Sequence, residues 1–373
     1  MGKMKRVALI RSNPKDFAYG RILIILSKQY AIDCFLWDRQ GDHSPFIQNE
    51  NINYHKCKLK GGFYDFYTLV KVFMFDLWLF WKLIFARFQY IHAIDLDTGV
   101  IGLLMSKIKR KPFIYHCLDP YYANLPSSWP PFIGKWAKWL ENIVISKADI
   151  FVITDKLRIV QHVGANPKRI LEFANVPPFP ETELQQNGRE DGGGFVVGYI
   201  GSLIEGRNLV EIVETVGELQ DSGIEMVIGG FGPLEEEIAR RAKKRKNISF
   251  VGWIPYTDVL KTENSFDVFL HTTDPGSESQ KWVSPAKLFE SMALGKPIVV
   301  SKDTLAAQRV ALIGNGIAVE YGSKSALRDA ILELKSDPGK TMQLGRRGKE
   351  EFERAWTHEI MERRLLDAYR ELS

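Results

Sequence analysis

The chain has 373 residues, 45% hydrophobic and 25% charged, a length and balance that suit a globular protein of two domains. Its three cysteines, Cys34, Cys57 and Cys117, form no Cys-x-x-Cys pair, which argues against a disulfide framework or a zinc site and for a reducing, cytoplasmic setting. The net charge of +5 conceals an asymmetry, because residues 1–175 hold 25 Lys and Arg against 14 Asp and Glu while the remainder holds 25 against 31.

A basic first half is expected to meet something anionic, either a phosphorylated acceptor or a membrane; no nucleic-acid recognition motif accompanies it. Val7–Ile10 reads as a first strand, being too short an apolar run for a signal peptide. A loop over Ser12–Gly20, a helix over Arg21–Tyr30 and a strand over Ile32–Trp37 follow, and this alternation predicts a doubly wound parallel sheet. Phe63–Tyr90 is a long aromatic helix with Asp65, Lys71, Asp76, Lys82 and Arg87 falling on two lines of an otherwise apolar circumference. Those charges disfavour spanning, which needs about 20 nearly charge-free residues. Two readings stay open: a helix buried between layers, or a helix seated in the bilayer surface with Trp and Lys at its margins.

Tyr90–Ile94 is a strand leading to Asp95-Leu96-Asp97, where paired carboxylates could hold a divalent ion on a diphosphate. The following helix makes an N-cap role for Asp97 or Thr98 the better reading, and no metal is expected. The strand Pro112–Tyr115 delivers His116, Asp119 and Pro120 at its carboxyl end, where open α/β sheets bind ligands. His116 and Asp119 are therefore candidate catalytic residues, with a structural role the alternative for a lone histidine. Phe132–Lys147 is a helix whose apolar side carries Trp136, Trp139 and Leu140. Pro177, Pro178, Pro180 and Gly192–Gly194 mark residues 176–194 as a linker between a first domain, 1–175, and a second, 195–356.

The second domain opens with the strand Phe195–Ile200 and the turn Gly201-Ser202, then Arg207 before the helix Leu209–Gln220. A glycine at a strand end lets backbone approach a ligand, and Arg207 offers a fork of donors to a diphosphate. A second such turn, Gly229-Gly230-Phe231-Gly232-Pro233, strengthens the case for phosphate handling. Ile248–Val251 leads to Trp253 and Ile254, where Trp253 either stacks on a base or packs in the core. Ser284–Ser301 organises the rest. Pro285 opens a helix, Leu288, Phe289, Met292 and Ala293 recur at helical spacing, Gly295 caps it, and Ile298–Val300 is a buried strand. Lys287 then sits at the positive end of that helix and Glu290 one turn on, an arrangement fit for an anion and for sugar hydroxyls.

Together, Tyr199–Leu203 with Arg207–Leu209, Ile228–Pro233, Phe250–Pro255 and Ser284–Pro297 resemble, in order, the landmarks of the retaining family-four glycosyltransferases of the GT-B fold. His92–Asp97 and Tyr115–Pro120 match more loosely. The resemblance implies two Rossmann-like domains facing a cleft. The first would be on the acceptor side, the second would hold a nucleotide diphosphate-sugar, and a helix over 357–373 would cross back to the first. It implies that Arg207 and Lys287 grip the diphosphate in place of a metal, so that no cofactor is needed, and that Glu290 binds ribose. It assigns Gly201, Ser202, Gly230, Phe231, Gly232, Trp253, Ile254 and Leu288 to the donor site. The acceptor would be a glycan or a lipid-linked sugar, with peripheral membrane contact through Phe63–Tyr90. Two departures stand out. The first of the family's two glutamates falls at Trp282, and a position often occupied by Arg is Ser202. The competing readings are a non-catalytic nucleotide-binding subunit and a GT-B epimerase or sugar-phosphate-forming enzyme.

Overall fold

The computed structural model describes residues 4–13, 17–39, 47–60, 66–125, 129–177 and 194–372. Asp65, the start of the Phe63–Tyr90 stretch and most of the expected linker lie outside the described residues, as does the middle of the Ser12–Gly20 loop. The chain divides into two units, Met1–Ala174 with Met361–Ser373, and Asn175–Ile360.

The first unit is built on a seven-stranded parallel sheet of order β3-β2-β1-β4-β5-β6-β7. Its strands are β1 Arg6–Arg11, β2 Ala31–Trp37, β3 Ile52–Cys57, β4 Tyr90–Ile94, β5 Phe113–Cys117, β6 Ile150–Ile153 and β7 Ile170–Glu172. The central strands are apolar on both faces, as a sheet covered on both sides requires. Helices α1 Phe17–Ser27, α2 Phe66–Phe85, α3 Leu96–Lys109 and α4 Pro131–Lys147 join them. Gly99 and Gly102 let α3 lie directly on Tyr115 and Phe113; a Cβ on Gly99 would come 2.6 Å from the Tyr115 ring. The helix begins at Leu96, with Asp95 rather than Asp97 or Thr98 in the capping position.

The long aromatic helix packs one face in the core and leaves the other exposed. Phe75, Leu79 and Leu83 are buried, with Phe75 stacked on Trp37 at 5.4 Å and on Trp78 at 5.9 Å, while Phe73, Trp81 and Phe85 on the other face are exposed. Among the described residues no helix is long and apolar enough to cross a membrane. In α4 the expected apolar side divides, since Leu140 packs against the core while the two tryptophans do not. Ala137, Val144 and Ile145 face the core, and Trp136 and Trp139 face outward.

The second unit has a six-stranded parallel sheet of order β10-β9-β8-β11-β12-β13. Its strands are β8 Phe195–Ser202, β9 Ile224–Phe231, β10 Ile248–Gly252, β11 Val268–His271, β12 Ile298–Ser301 and β13 Gly316–Val319. The helices are α5 Leu209–Gly217, α6 Glu235–Ala242, α7 Tyr256–Asn264, the short α8 Glu278–Lys281, α9 Ala286–Ala293, α10 Leu305–Ile313, α11 Lys324–Ser336 and α12 Pro338–Ala355. The strand order reverses between β8 and β11, the switch point at which an open α/β sheet leaves a crevice. A last helix, α13 His358–Glu371, completes the chain, and its residues from Met361 on pack in the first unit. There the Tyr369 hydroxyl meets His92 Nδ1 at 2.7 Å, and Glu362 pairs with Lys28 at 2.6 Å.

Candidate active site

The residues with chemistry gather at the carboxyl ends of β8, β9 and β11. Strand β8 runs on through Gly201 and Ser202, and its register sets Gly201 opposite Gly230 of β9. A Cβ on Gly230 would lie 1.7 Å from the Gly201 carbonyl oxygen, and one on Gly232 2.4 Å from that of Leu203. Both glycines have positive φ, +130° and +149°, so only glycine lets the two turns interlock. The Leu203 N–H donates to the Phe231 carbonyl at 2.8 Å and the Leu234 N–H to Leu203 at 3.0 Å, which fixes the pair of turns.

Arg207 reaches this end from the loop before α5. The Thr272 hydroxyl donates to the Arg207 carbonyl at 3.0 Å and the Asp274 N–H to Gly206 at 2.9 Å, tying the loop to the end of β11. Its Nη1 stands 3.5 Å from Nε2 of His271, and its buried Nε has no partner. His271 is buried, and burial, with Arg207 and Lys287 nearby, pushes its pKa well down, so the imidazole is neutral.

Lys287 enters from the first turn of α9, where Pro285 is the cap and Gly295 closes the far end with φ +65°. Its Nζ lies 3.5 Å from Glu290 Oε2 and 3.5 Å from Glu263 Oε1, and 5.5 Å over the Tyr199 ring. The side chain passes beside Gly201, where an added Cβ would stand 3.1 Å from its Cε. Burial disfavours the ammonium, but Glu290 and Glu263 outweigh it and hold its pKa above the ordinary value. Glu263, fully buried on α7, is pushed well above the carboxylate range by burial and by Glu290 beside it. One ammonium thus faces two carboxyl groups.

This is a cationic mouth at a switch point, with unused guanidinium and carboxyl groups and exposed Ser202, Phe231 and Trp253 around it. The family described as Glycosyl transferases group 1 matches residues 180–351, a span that takes in all of these side chains. Over those residues, a little under half of its length, the chain is similar to that family. It is 22% identical over 291 residues to a capsular polysaccharide biosynthesis glycosyltransferase of Staphylococcus aureus, CapM, covering 73% of this chain and 74% of that one. It is 28% identical over 144 residues to a GDP-mannose-dependent monoacylated alpha-(1-6)-phosphatidylinositol monomannoside mannosyltransferase of Corynebacterium glutamicum. That match spans 38% of this chain and only 37% of the relative's length. Among solved structures, HepE of Anabaena in complex with UDP superposes with a TM-score of 0.72 at 16% identity, over 99% of this chain and 100% of that one. The two Rossmann-like parallel sheets are those of the GT-B glycosyltransferases.

Within this glycosyltransferase fold the expected site residues separate. Arg207, Lys287, Glu290, Gly201, Gly230 and Gly232 come together, and Trp253 and half-buried Ile254 follow the end of β10. Leu288 does not join them: its side chain is in the core, and its N–H turns back to the Pro285 carbonyl at 3.2 Å. His116 corrects another expectation. Strand β5 extends to Cys117, so His116 lies inside the sheet, paired in register with Ile94 and Val152, rather than beyond its end. It is fully buried, stacked on His92 at 5.6 Å, with neither ring nitrogen partnered, and burial drives its pKa well down. Asp119 faces outward and pairs with Arg158 at 2.9 Å. Asp95 pairs with Arg11 and accepts from the Leu118 N–H at 2.9 Å; Asp97 takes the Ser12 hydroxyl and lies 3.8 Å from Arg39. Trp282 sits at the cap of α8, under the Lys281 ammonium at 5.7 Å.

Glu263, His271 and Tyr199 are the members that sequence reasoning missed. His271 closes a strand at the switch point, which is a readable signal. Glu263 lies in a polar stretch, Lys261-Thr262-Glu263-Asn264, that gives no hint of burial.

Proposed function

We propose that the chain transfers a sugar, with retained anomeric configuration, from a nucleotide diphosphate-sugar to a glycan or lipid-linked acceptor. The observation that carries this reading is the position of Lys287, a buried ammonium on a helix N-terminus, beside Gly201 and close enough to Arg207 that both act on His271 and Tyr199. A departing diphosphate accumulates negative charge as the glycosidic bond breaks, and donors fixed before the reaction stabilise that charge most strongly. The unused Arg207 Nε and the Lys287 ammonium supply them, and the reading needs no resident metal. Neutral His271 behind Arg207 holds the guanidinium without cancelling its charge. Glu290 is the acceptor for donor hydroxyls, and Trp253, exposed after β10, is a face for the base. Of the two acceptor-side candidates, Asp119 presents an outward side chain and His116 does not.

The names of the relatives support the reading: one uses GDP-mannose, one serves capsular polysaccharide biosynthesis, and a fold neighbour was solved with UDP. Membrane contact through the outward face of α2 belongs to it, since a lipid-linked acceptor lies at a bilayer. The test is nucleotide release from UDP-, GDP- and ADP-sugars with membrane extract as acceptor source, alongside Arg207→Ala. Release of one nucleotide, lost in the variant, is expected, with the anomer of the product read by NMR. Neither release nor a thermal shift with any donor would overturn the proposal. A shift without release would make the chain a nucleotide-binding subunit, the reading that Trp282 motivates.

A further inference from the structure

Helices α2, α3 and α4 lie side by side over one face of the first sheet and share a single buried core. Among the described residues their outward faces are largely apolar. Of the 21 large hydrophobic side chains exposed among the described residues, 12 sit on these three helices. The most prominent are Phe73 (69% exposed), Trp81 (57%) and Phe85 (79%) on α2, Leu104 on α3, and Trp136 (63%) and Trp139 (56%) on α4. Trp136 and Trp139 meet edge to face at 5.6 Å, and Trp81 stacks with Phe85 at 6.5 Å, so the aromatic groups stand as ordered pairs. The Lys109 ammonium donates to the Ile84 carbonyl at 2.5 Å and pins the end of α3 to that of α2.

The charges on these helices divide by sign. Every carboxylate turns away from solvent: Glu141 is buried under Tyr115, which donates to it at 2.7 Å, and Asp97 is held by Ser12 and Arg39. Asp76 is pushed up to about 8 by burial and by Asp97, so it is largely uncharged at neutral pH. Lys82, Lys107, Lys135 and Lys147 remain exposed. An outward layer with aromatic pairs, aliphatic filling and only positive charge is complementary to one kind of partner. Long lysine side chains can lay their stems on the apolar surface and extend their ammonium groups to phosphates, while Trp rings favour the interface between hydrocarbon and water.

We infer that the outward faces of α2, α3 and α4 together form a docking surface for an anionic lipid bilayer, with the Trp136–Trp139 pair and Trp81 as its anchors. The proposal extends the functional reading above, giving the enzyme the surface from which a lipid-linked acceptor would be taken, and it rests on that reading only for its purpose. Three helices packed side by side give a layer rather than a single rod lying in the interface. A bilayer suits such a layer better than a groove-binding peptide does.

The experiment is flotation of the full chain with vesicles of phosphatidylcholine alone and of phosphatidylcholine mixed with phosphatidylglycerol. The protein should rise with the anionic vesicles, less with the neutral ones, and lose several-fold in binding as salt screens the lysines. Trp136→Ser with Trp139→Ser should lower binding on the order of tenfold, a loss of apolar insertion, with near-UV circular dichroism, melting temperature and nucleotide release in solution unchanged. A Lys135→Glu variant, with both tryptophans intact, should lose binding to anionic vesicles alone. Wild type remaining at the bottom with both vesicle types overturns the inference, and so does equal flotation of wild type and the tryptophan variant. A dimer seen by light scattering and dissolved by the tryptophan variant, without flotation, would make the surface a contact between copies instead. Binding without nucleotide release would leave the surface standing and defeat the sugar-transfer reading alone.

Discussion

Replacing Glu263 by Gln tests the electrostatics of the site most directly. At 3.5 Å and an effective dielectric of about 20, an ammonium and a carboxylate attract by about 5 kcal/mol. Lys287 meets two such groups. Glu263 gains that attraction but is repelled by Glu290, and desolvation of a fully buried carboxylate is the largest influence on it. Glu263 therefore holds its proton to higher pH when folded than in the unfolded chain, where it ionises near about 4.3. Between the two pKa values the native state holds more protons, so stability falls as pH rises, by up to about 1.4 kcal/mol per pH unit. Glutamine has the same shape and never ionises. Urea unfolding should find variant and wild type similar at about pH 4 and below, with the variant gaining up to about 1.4 kcal/mol per unit as pH rises above that. Parallel curves for the two proteins would refute a raised Glu263 pKa and with it the charge balance drawn around Lys287.

Other outcomes follow from the same geometry. Arg207→Ala should leave the melting temperature almost unchanged, since Arg207 is only half-buried, and lower donor turnover by roughly a hundredfold or more. Lys287→Ala would strand two buried carboxyl groups and cost about 3–5 kcal/mol, so calorimetry should show a lowered melting temperature and Arg207 is the cleaner activity probe. Gly230→Ala forces a Cβ to within 1.7 Å of a carbonyl oxygen at φ +130° and should abolish the soluble fold or the nucleotide-induced thermal shift. Trp78→Ser removes a ring stacked on Phe75 at 5.9 Å and should cost about 3 kcal/mol. Trp81→Ser, on the outward face, should shift the urea midpoint little.

How much of this was legible beforehand depends on the range of the interaction involved. Alternating strand and helix signals, the Gly201 and Gly230 turns and the Ser284–Ser301 stretch are local patterns, in which propensity and backbone sterics act within a few residues. They sufficed for two parallel sheets and for the placement of Arg207, Lys287 and Glu290. A two-residue error in the end of β5 was enough to misplace His116, since one end of a parallel strand lies in a crevice and its middle in the core. Glu263 and His271 come from other elements, and nothing local marks a polar side chain as buried beside a lysine 24 residues later.

The sequence by itself determined which helices are amphipathic and where glycine had to bend the chain, because both depend on periodicity and on φ. Only the tertiary structure decided which face of α4 turns inward. Val144 and Ile145 meet the core while Trp136 and Trp139 stay out, a choice set by what α4 packs against and not by its own periodicity. It also decided that one ammonium would hold two carboxyls. Burial, which sets their proton count, is a property of everything packed around them.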